Sequence, residues 1–152
     1  MKIIIGIDDS PYSEAVLRWV KATPWPHETR FVVVSAVPVQ IPAYSLIEVG
    51  PIRAVENNQQ ENMRAHEELV SQAERELKAA GFVVEGLALP GDPRELLIRE
   101  AVSRGADMIV VGSHGRTGLS RLVVGSVATH VAGHAPCTVV IVKESRAHAA
   151  RI

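Results

Sequence analysis

At 152 residues the chain is long enough for one domain that buries roughly two-thirds of its unfolded-chain surface. Its 47% hydrophobic and 22% charged content is that of an ordinary globular protein and excludes a disordered or fibrous chain. A net charge of −1 leaves no general footprint for nucleic acid or an anionic membrane, so neither is a predicted partner.

The first predicted element is a strand over residues 2–8 (KIIIGID), near-continuously apolar as a strand covered on both faces must be. That run is too short for a signal-peptide core. Ser10 and Pro11 then stand where a helix is capped and opened, with proline at the first helical position. Ala15, Val16, Trp19 and Val20 give this helix one apolar face, which places Trp19 in the core. The segment TPWPHE breaks it, and Trp25 between two prolines is expected at a partly exposed edge. Residues 30–38 (RFVVVSAVP) form a second strand of the buried type.

Residues 39–55 have no clean period and hold two prolines; they read equally as a flap over a site or as an irregular excursion. From about residue 56 to 80, Met63, Leu69, Val70, Ala73, Leu77 and Ala80 recur at three- and four-residue steps of a helix, and Gly81 ends it. Residues 82–89 are the third strand. In the segment Gly91-Asp92-Pro93-Arg94-Glu95, Asp92 is the predicted cap, Pro93 the first helical residue and Glu95 the partner of a capping-box variant. Leu96, Leu97, Ala101 and Val102 are its predicted buried face. Residues 107–112 (DMIVVG) form the fourth strand. A helix over 126–135, with Val127 and Val131 inward, and a strand over 137–143 (CTVVIVK) complete the pattern.

Five apolar strands alternating with four helices imply an α/β fold, a doubly wound parallel sheet with right-handed crossovers. The chain reads as one domain over 1–143 followed by a tail, 144–152. No apolar run approaches the roughly 18 residues of a membrane span. The single cysteine, Cys137, excludes an internal disulfide and makes a cytoplasmic location the default. Its own expected role is that of a small buried apolar residue.

The chemistry concentrates in GSHGRTGLSRLVVGS, residues 112–126, which leaves the carboxyl end of the fourth strand. In doubly wound sheets ligands bind beyond the carboxyl ends of the strands. Gly112 and Gly115 remove side chains where backbone must approach a ligand, and Gly125 and Ser126 open a helix whose N–H groups favour an anion. The competing reading is an Ω-like loop that needs its glycines only to pack on itself. The loop is neither a Walker A loop nor a dinucleotide fingerprint, because no Gly-Lys-Ser/Thr and no G-x-G-x-x-G occurs. Charge neutralisation therefore falls to backbone amides, a metal ion, Arg116 or Arg121, with Arg116, inside the loop, the better placed. Asp8, at the end of a central strand, is suited to accept from hydroxyls or an exocyclic amine. His114, between two glycines, reads as a loop-packing or hydrogen-bonding residue before it reads as a general base. His130 and His134 share a helix face, but neither a third ligand nor a Glu accompanies them as in H-E-x-x-H.

These stretches resemble the universal stress protein family from Lys2 to about Lys143, through IIIGIDDSPYSEAVLRW, GDPRELLIREA and DMIVVGSHGRTGLSRLVVGSVATHVAGHAPCTVVIVK. The ATP-binding branch of that family is similar in carrying G-x-x-G, nine residues and G-S/T, which this chain matches at each fixed position. The resemblance implies a Rossmann-like sheet of strand order 3-2-1-4-5 and a bound ATP, any Mg2+ being held mainly by the phosphates. It implies that Asp8, beside Ile7, contacts adenine and ribose, and that the backbone of Ala36 meets the adenine edge. Ala36 departs from the larger aliphatic usual there, which loosens the adenine wall. By the same resemblance Val111 and Gly112 flank ribose and phosphates, and Gly115, Gly125, Ser126 and Val127 offer phosphate-binding amides. Ser113, His114 and Arg116 complete the candidate set. A homodimer through residues 137–143 is also implied, an apolar edge that otherwise needs covering.

The leading expectation is a regulatory stress-response protein whose bound nucleotide controls conformation or partner choice. A slow or autophosphorylating ATPase on the same fold, and an interaction module that binds no nucleotide, stay open as alternatives. No arranged base and second carboxylate for hydrolysis is evident, so robust catalysis is not expected.

Overall fold

The structure, a computed structural model, describes residues 1–39, 52–115 and 124–144, with backbone alone for 52–57. Its elements run β1 (Lys2–Gly6), α1 (Pro11–Ala22), β2 (Arg30–Val37), α2 (Ile52–Ala79), β3 (Val83–Pro90), α3 (Pro93–Arg104), β4 (Met108–Gly112), α4 (Ser126–His134) and β5 (Thr138–Val142). All strand pairs are parallel and the sheet order is β3-β2-β1-β4-β5. The expected α/β architecture, strand order and helix number are all present.

Alternation along each strand builds two cores. Ile3, Ile5, Phe31, Val33 and Val110 face α1 and α2, where Val16, Val20, Val70, Ala73 and Leu77 meet them. Ile4, Val32, Val34, Ile109 and Val111 face α3 and α4, against Leu97, Ala101, Ala128 and Val131. Such strands are apolar on both faces because both faces are covered, which is why their sequences carry no polar alternation. Edge-to-face contacts link Trp19, Trp25, Phe31 and Phe82 at ring-centroid separations of 5.1–5.6 Å. Trp25 is half-buried, and its indole N–H donates to Val20 O at 2.8 Å, so the proline-flanked turn folds its ring back onto the core. Cys137 packs half-buried against the second core, where burial pushes its thiol pKa up.

Several sequence expectations shift. α2 begins at Ile52 rather than near residue 56, so the aperiodic stretch 39–55 overlaps a helix at its end; residues 40–51 lie outside the described residues. Its far end matches: Gly81 has φ +91°, Phe82 N–H bonds Leu77 O and Gly81 N–H bonds Lys78 O, a Schellman closure. Ala80, counted with the apolar face, is exposed because the helix has already ended. Val102 is 62% exposed rather than buried; one residue beyond buried Ala101, it is turned about 100° off the inward face. Val127 is only half-buried, and the deeper contacts of α4 come from Ala128 and Val131.

Two caps also differ. Asp92 does cap α3, accepting Arg94 N–H at 2.8 Å with Pro93 at the first position. Glu95 instead reaches His130 Nε2 at 3.3 Å. Ser10 occupies the N-cap position of α1 but makes no side-chain cap; its hydroxyl turns back to Asp8. Among the described residues no helix is long and apolar enough to cross a membrane.

Candidate functional site

The chain runs outward from β1 to β3 on one side and then crosses to β4 and β5 on the other, so the order reverses between β1 and β4. A crevice forms at such a reversal because the flanking connections leave in opposite directions. Here it is a cavity of about 820 Å³ at the carboxyl ends of β1, β2 and β4, large enough for a nucleotide-sized ligand.

Of the residues singled out in the sequence, Ile7, Asp8, Ala36, Val111, Gly112, His114, Gly115, Gly125, Ser126 and Val127 all line this cavity. Three of its walls come from strand ends, and the fourth from the start of α4. Ser113 does not line it. That residue is buried, donating its N–H to Val142 O at 2.8 Å and accepting Gly125 N–H on its carbonyl at 2.7 Å. Arg116 and Arg121 lie outside the described residues.

The Ser113–Gly125 bond corrects one role. The Gly125 amide already has a protein acceptor, so the first-turn amides of α4 without a helical acceptor are those of Ser126, Val127 and Ala128. These precede the first backbone bond of the helix, Thr129 N–H to Gly125 O. Gly125 is the N-cap, without a side-chain cap, and no acidic residue occupies the first turn. The positive end of the α4 dipole therefore opens on the cavity with no acid in its own first turn.

The glycines have a packing reason beside their ligand reason. A side-chain carbon at Gly125 would lie 3.2 Å from Ser113 O and 3.2 Å from His114 Cα, both backbone-bound positions. One at Gly115 would lie 2.7 Å from Asp8 Oδ2. Loop self-packing and ligand access therefore impose the same residue at the same place.

Asp8 is held from one side. Its Oδ1 accepts the Ser10 N–H at 3.1 Å, the Ser13 hydroxyl at 2.9 Å and the Ser10 hydroxyl, while Asp8 N–H donates to Ser13 Oγ at 2.8 Å. His114 packs its ring on Tyr12 at a centroid distance of 5.1 Å. Its Nδ1 lies 3.1 Å from Ser113 Oγ, and its Nε2 is buried with no hydrogen-bond partner among the described residues. The Ser113 hydroxyl and Nδ1 share one hydrogen whose owner sets the ring tautomer, and in either tautomer Nε2 is a buried polar atom without a partner among the described residues. An orphan of that kind costs about 1–3 kcal/mol.

Sequence reasoning missed several lining residues. Ser13, Leu97, Asp92 and Pro93 belong to the wall; Asp92 and Pro93 were legible as a helix start, and the same carboxyl-end rule that located the glycine loop places them at this crevice. His66 of α2 also lines it, its Nδ1 2.8 Å from Ser35 Oγ, whose hydroxyl donates to Ile7 O at 3.0 Å. His66 stands at helical spacing with Met63, Val70 and Ala73 on the inward face of α2, and an isolated histidine there gave no signal of a site. His130 and His134 stack at 4.2 Å, and His134 Nδ1 lies 2.8 Å from His130 O. Among the described residues no group of three His, Cys, Asp or Glu is arranged to hold a metal ion.

The family model described as the universal stress protein family matches residues 1–143. The chain belongs to the universal stress protein family. A universal stress protein of Mycolicibacterium smegmatis is 30% identical over 99% of this chain and 51% of its own length. Universal stress protein MJ0577 of Methanocaldococcus jannaschii is 36% identical over 45% of this chain and 43% of its own length. The alignments thus span about half the length of these curated relatives. The solved MJ0577 structure superimposes with a TM-score of 0.74 at 26% identity, over 96% of this chain and 97% of that one. A universal stress protein solved in complex with cAMP aligns with a TM-score of 0.68 at 25% identity, covering 95% and 98% of the two chains. A family member from Arabidopsis thaliana, solved with AMP bound, shares the fold at a TM-score of 0.66 and 17% identity, over 95% of this chain and 92% of that one.

Proposed function

We propose that this universal stress protein binds an adenine nucleotide, ATP, in the β1–β4 crevice and acts as a regulatory stress-response protein whose nucleotide state governs its conformation or partner choice. The observation that carries the reading is the start of α4: an uncapped, acid-free helix N-terminus facing a nucleotide-sized cavity across two glycines. The orphan His114 Nε2 supports it, as a polar atom beside the cavity with no partner among the described residues. Relatives solved with cAMP and AMP support an adenine nucleotide as the ligand class.

In this reading the amides of Ser126, Val127 and Ala128 and the Ser126 hydroxyl hold phosphate oxygens. Arg116 and an Mg2+ carried mainly by the phosphates would share the charge. Asp8 takes a sugar or base donor, and Ala36 with Pro38 walls the base. β5 is one of the two edges of the sheet, β3 being the other, and its Val139, Val140 and Ile141 are only half-buried; in this proposal a second copy covers the β5 edge as a homodimer. A cytoplasmic location completes the proposal.

The deciding experiment is titration calorimetry of the purified protein with ATP, together with mass analysis for co-purified nucleotide. Micromolar binding and a concentration-dependent rise in Tm are expected. Neither co-purified nucleotide nor any ATP-induced shift would remove the proposal. A scattering mass equal to one chain would remove its dimer.

A further inference from the structure

Asp8 is a carboxylate with two unlike oxygens. Oδ1 takes the Ser10 N–H, the Ser10 hydroxyl and the Ser13 hydroxyl. Oδ2 has no donor among the described residues and lies against Gly115 on the cavity wall. The Ser13 hydroxyl closes a small ring, accepting Asp8 N–H at 2.8 Å and returning its own hydrogen to Oδ1 at 2.9 Å. Both serines are 7% exposed, so water does not compete for these bonds. An aspartate carboxyl rotates freely about its last torsion when nothing holds it; this one is locked, with Oδ2 toward the site.

The group that meets Oδ2 must be a donor, because a phosphate there would be a like charge. Topology says which donor. β1 lies between β2 and β4 in the sheet, with the phosphate cradle beyond β4 and the Ala36–Pro38 wall beyond β2. A nucleotide laid across that order puts its sugar over the end of β1, and the sugar's donors are its hydroxyls.

We propose that Ser10 and Ser13 are positioning residues that orient Asp8 to a ribose hydroxyl and thereby make the site select ribonucleotides over deoxyribonucleotides. This rests on the nucleotide reading given above. The selectivity comes from preorganisation: a hydrogen bond to a fixed anion is stronger than one to a mobile, hydrated anion.

The test is calorimetry of the full chain with ATP, 2′-deoxy-ATP and 3′-deoxy-ATP, for wild type and for Ser13→Ala, Ser10→Ala, Asp8→Ala and the Asp8→Ala/Ser13→Ala pair. Wild type is expected to prefer ATP over at least one deoxy analogue by about tenfold or more, the value of one charge-assisted bond. Ser13→Ala should bring that ratio to within about threefold, with Ser10→Ala following in the same direction. In the Asp8→Ala background Ser13→Ala should change the ratio no further, because its effect runs through Asp8. Should Ser13→Ala fail to fold, Ser10→Ala carries the same comparison. Equal weakening toward all three nucleotides, additive effects in the double variant, or a wild type indifferent to both deoxy analogues would each overturn the proposal. A wild type that binds no nucleotide overturns the nucleotide reading itself and is seen before any variant is made.

Discussion

Two helices begin at the same cavity, α3 and α4, and they begin in opposite ways. α3 starts on Asp92, whose carboxylate takes the Arg94 amide at 2.8 Å and the Arg94 guanidinium at 2.5–3.2 Å. That hydrogen bonding holds the Asp92 pKa at about 2, and Glu95 adds a second acid in the first turn. α4 starts on Gly125 with no side-chain cap and no acid. Both helices carry a positive N-terminal end. One has been satisfied from within the chain, and the other has neither a side-chain cap nor an acid in its first turn; in the proposed reading it takes its anion from outside. An anion site is therefore marked less by what a helix start contains than by the carboxylate it lacks.

The largest expected effect comes from closing the open start. Gly125→Val keeps an ordinary φ of −60° but drives a side chain onto Ser113 O and His114 Cα at 3.2 Å. ATP affinity should fall about a hundredfold or more by calorimetry, while circular dichroism shows the fold retained. Giving α4 the charge that α3 already has is the next step down. Ser126→Asp should weaken ATP about tenfold and leave adenosine binding unchanged, which separates charge from shape. If both ligands weaken together, the contrast between the two starts does not govern binding.

His114→Phe keeps a ring against Tyr12 and removes the unpartnered Nε2. ATP affinity should drop about three- to tenfold, with a small loss of thermal stability because the Ser113 hydroxyl loses its Nδ1 partner. The smallest effect on binding should come from the satisfied start. Asp92→Ala should lower urea-unfolding stability by about 1 kcal/mol, the usual value of a lost cap, and change ATP affinity less than twofold. Because the folded pKa of Asp92 lies below its free value of 3.8, its stabilisation is fully present above about pH 4. It fades as pH falls toward 2, and Asp92→Asn should flatten that part of the stability curve.

The fold was legible because the central strands β1, β2 and β4 are covered on both faces and leave apolar runs, and because glycine and proline mark the helix ends at Gly81, Pro93 and Pro11. The glycine loop located the crevice through its position after β4. What escaped the sequence was partner choice. Ser10 had the chemistry of a cap and turned to Asp8; Glu95 had the spacing of a capping box and turned to His130. Gly125 had the look of a free amide and bonds Ser113. A side chain's residue type states what it is able to bond, and only the packed neighbours decide which offer is taken. His66 escaped for a related reason: the helical period puts it on the inward face of α2, but only the packed neighbours bring it to Ser35 and the cavity.

Ser113 carries a consequence for the speed of capture. Its two backbone bonds, one to Val142 and one to Gly125, tie the last turn of β4 to both the sheet edge and the start of α4 before any ligand arrives. The rim formed by Gly112, Ser113 and Gly125 thus gives up little further conformational entropy when an anion docks. In the proposed reading, docking at this rim needs no rearrangement of these three residues, and differences in affinity among ligands should appear mainly in how fast they leave.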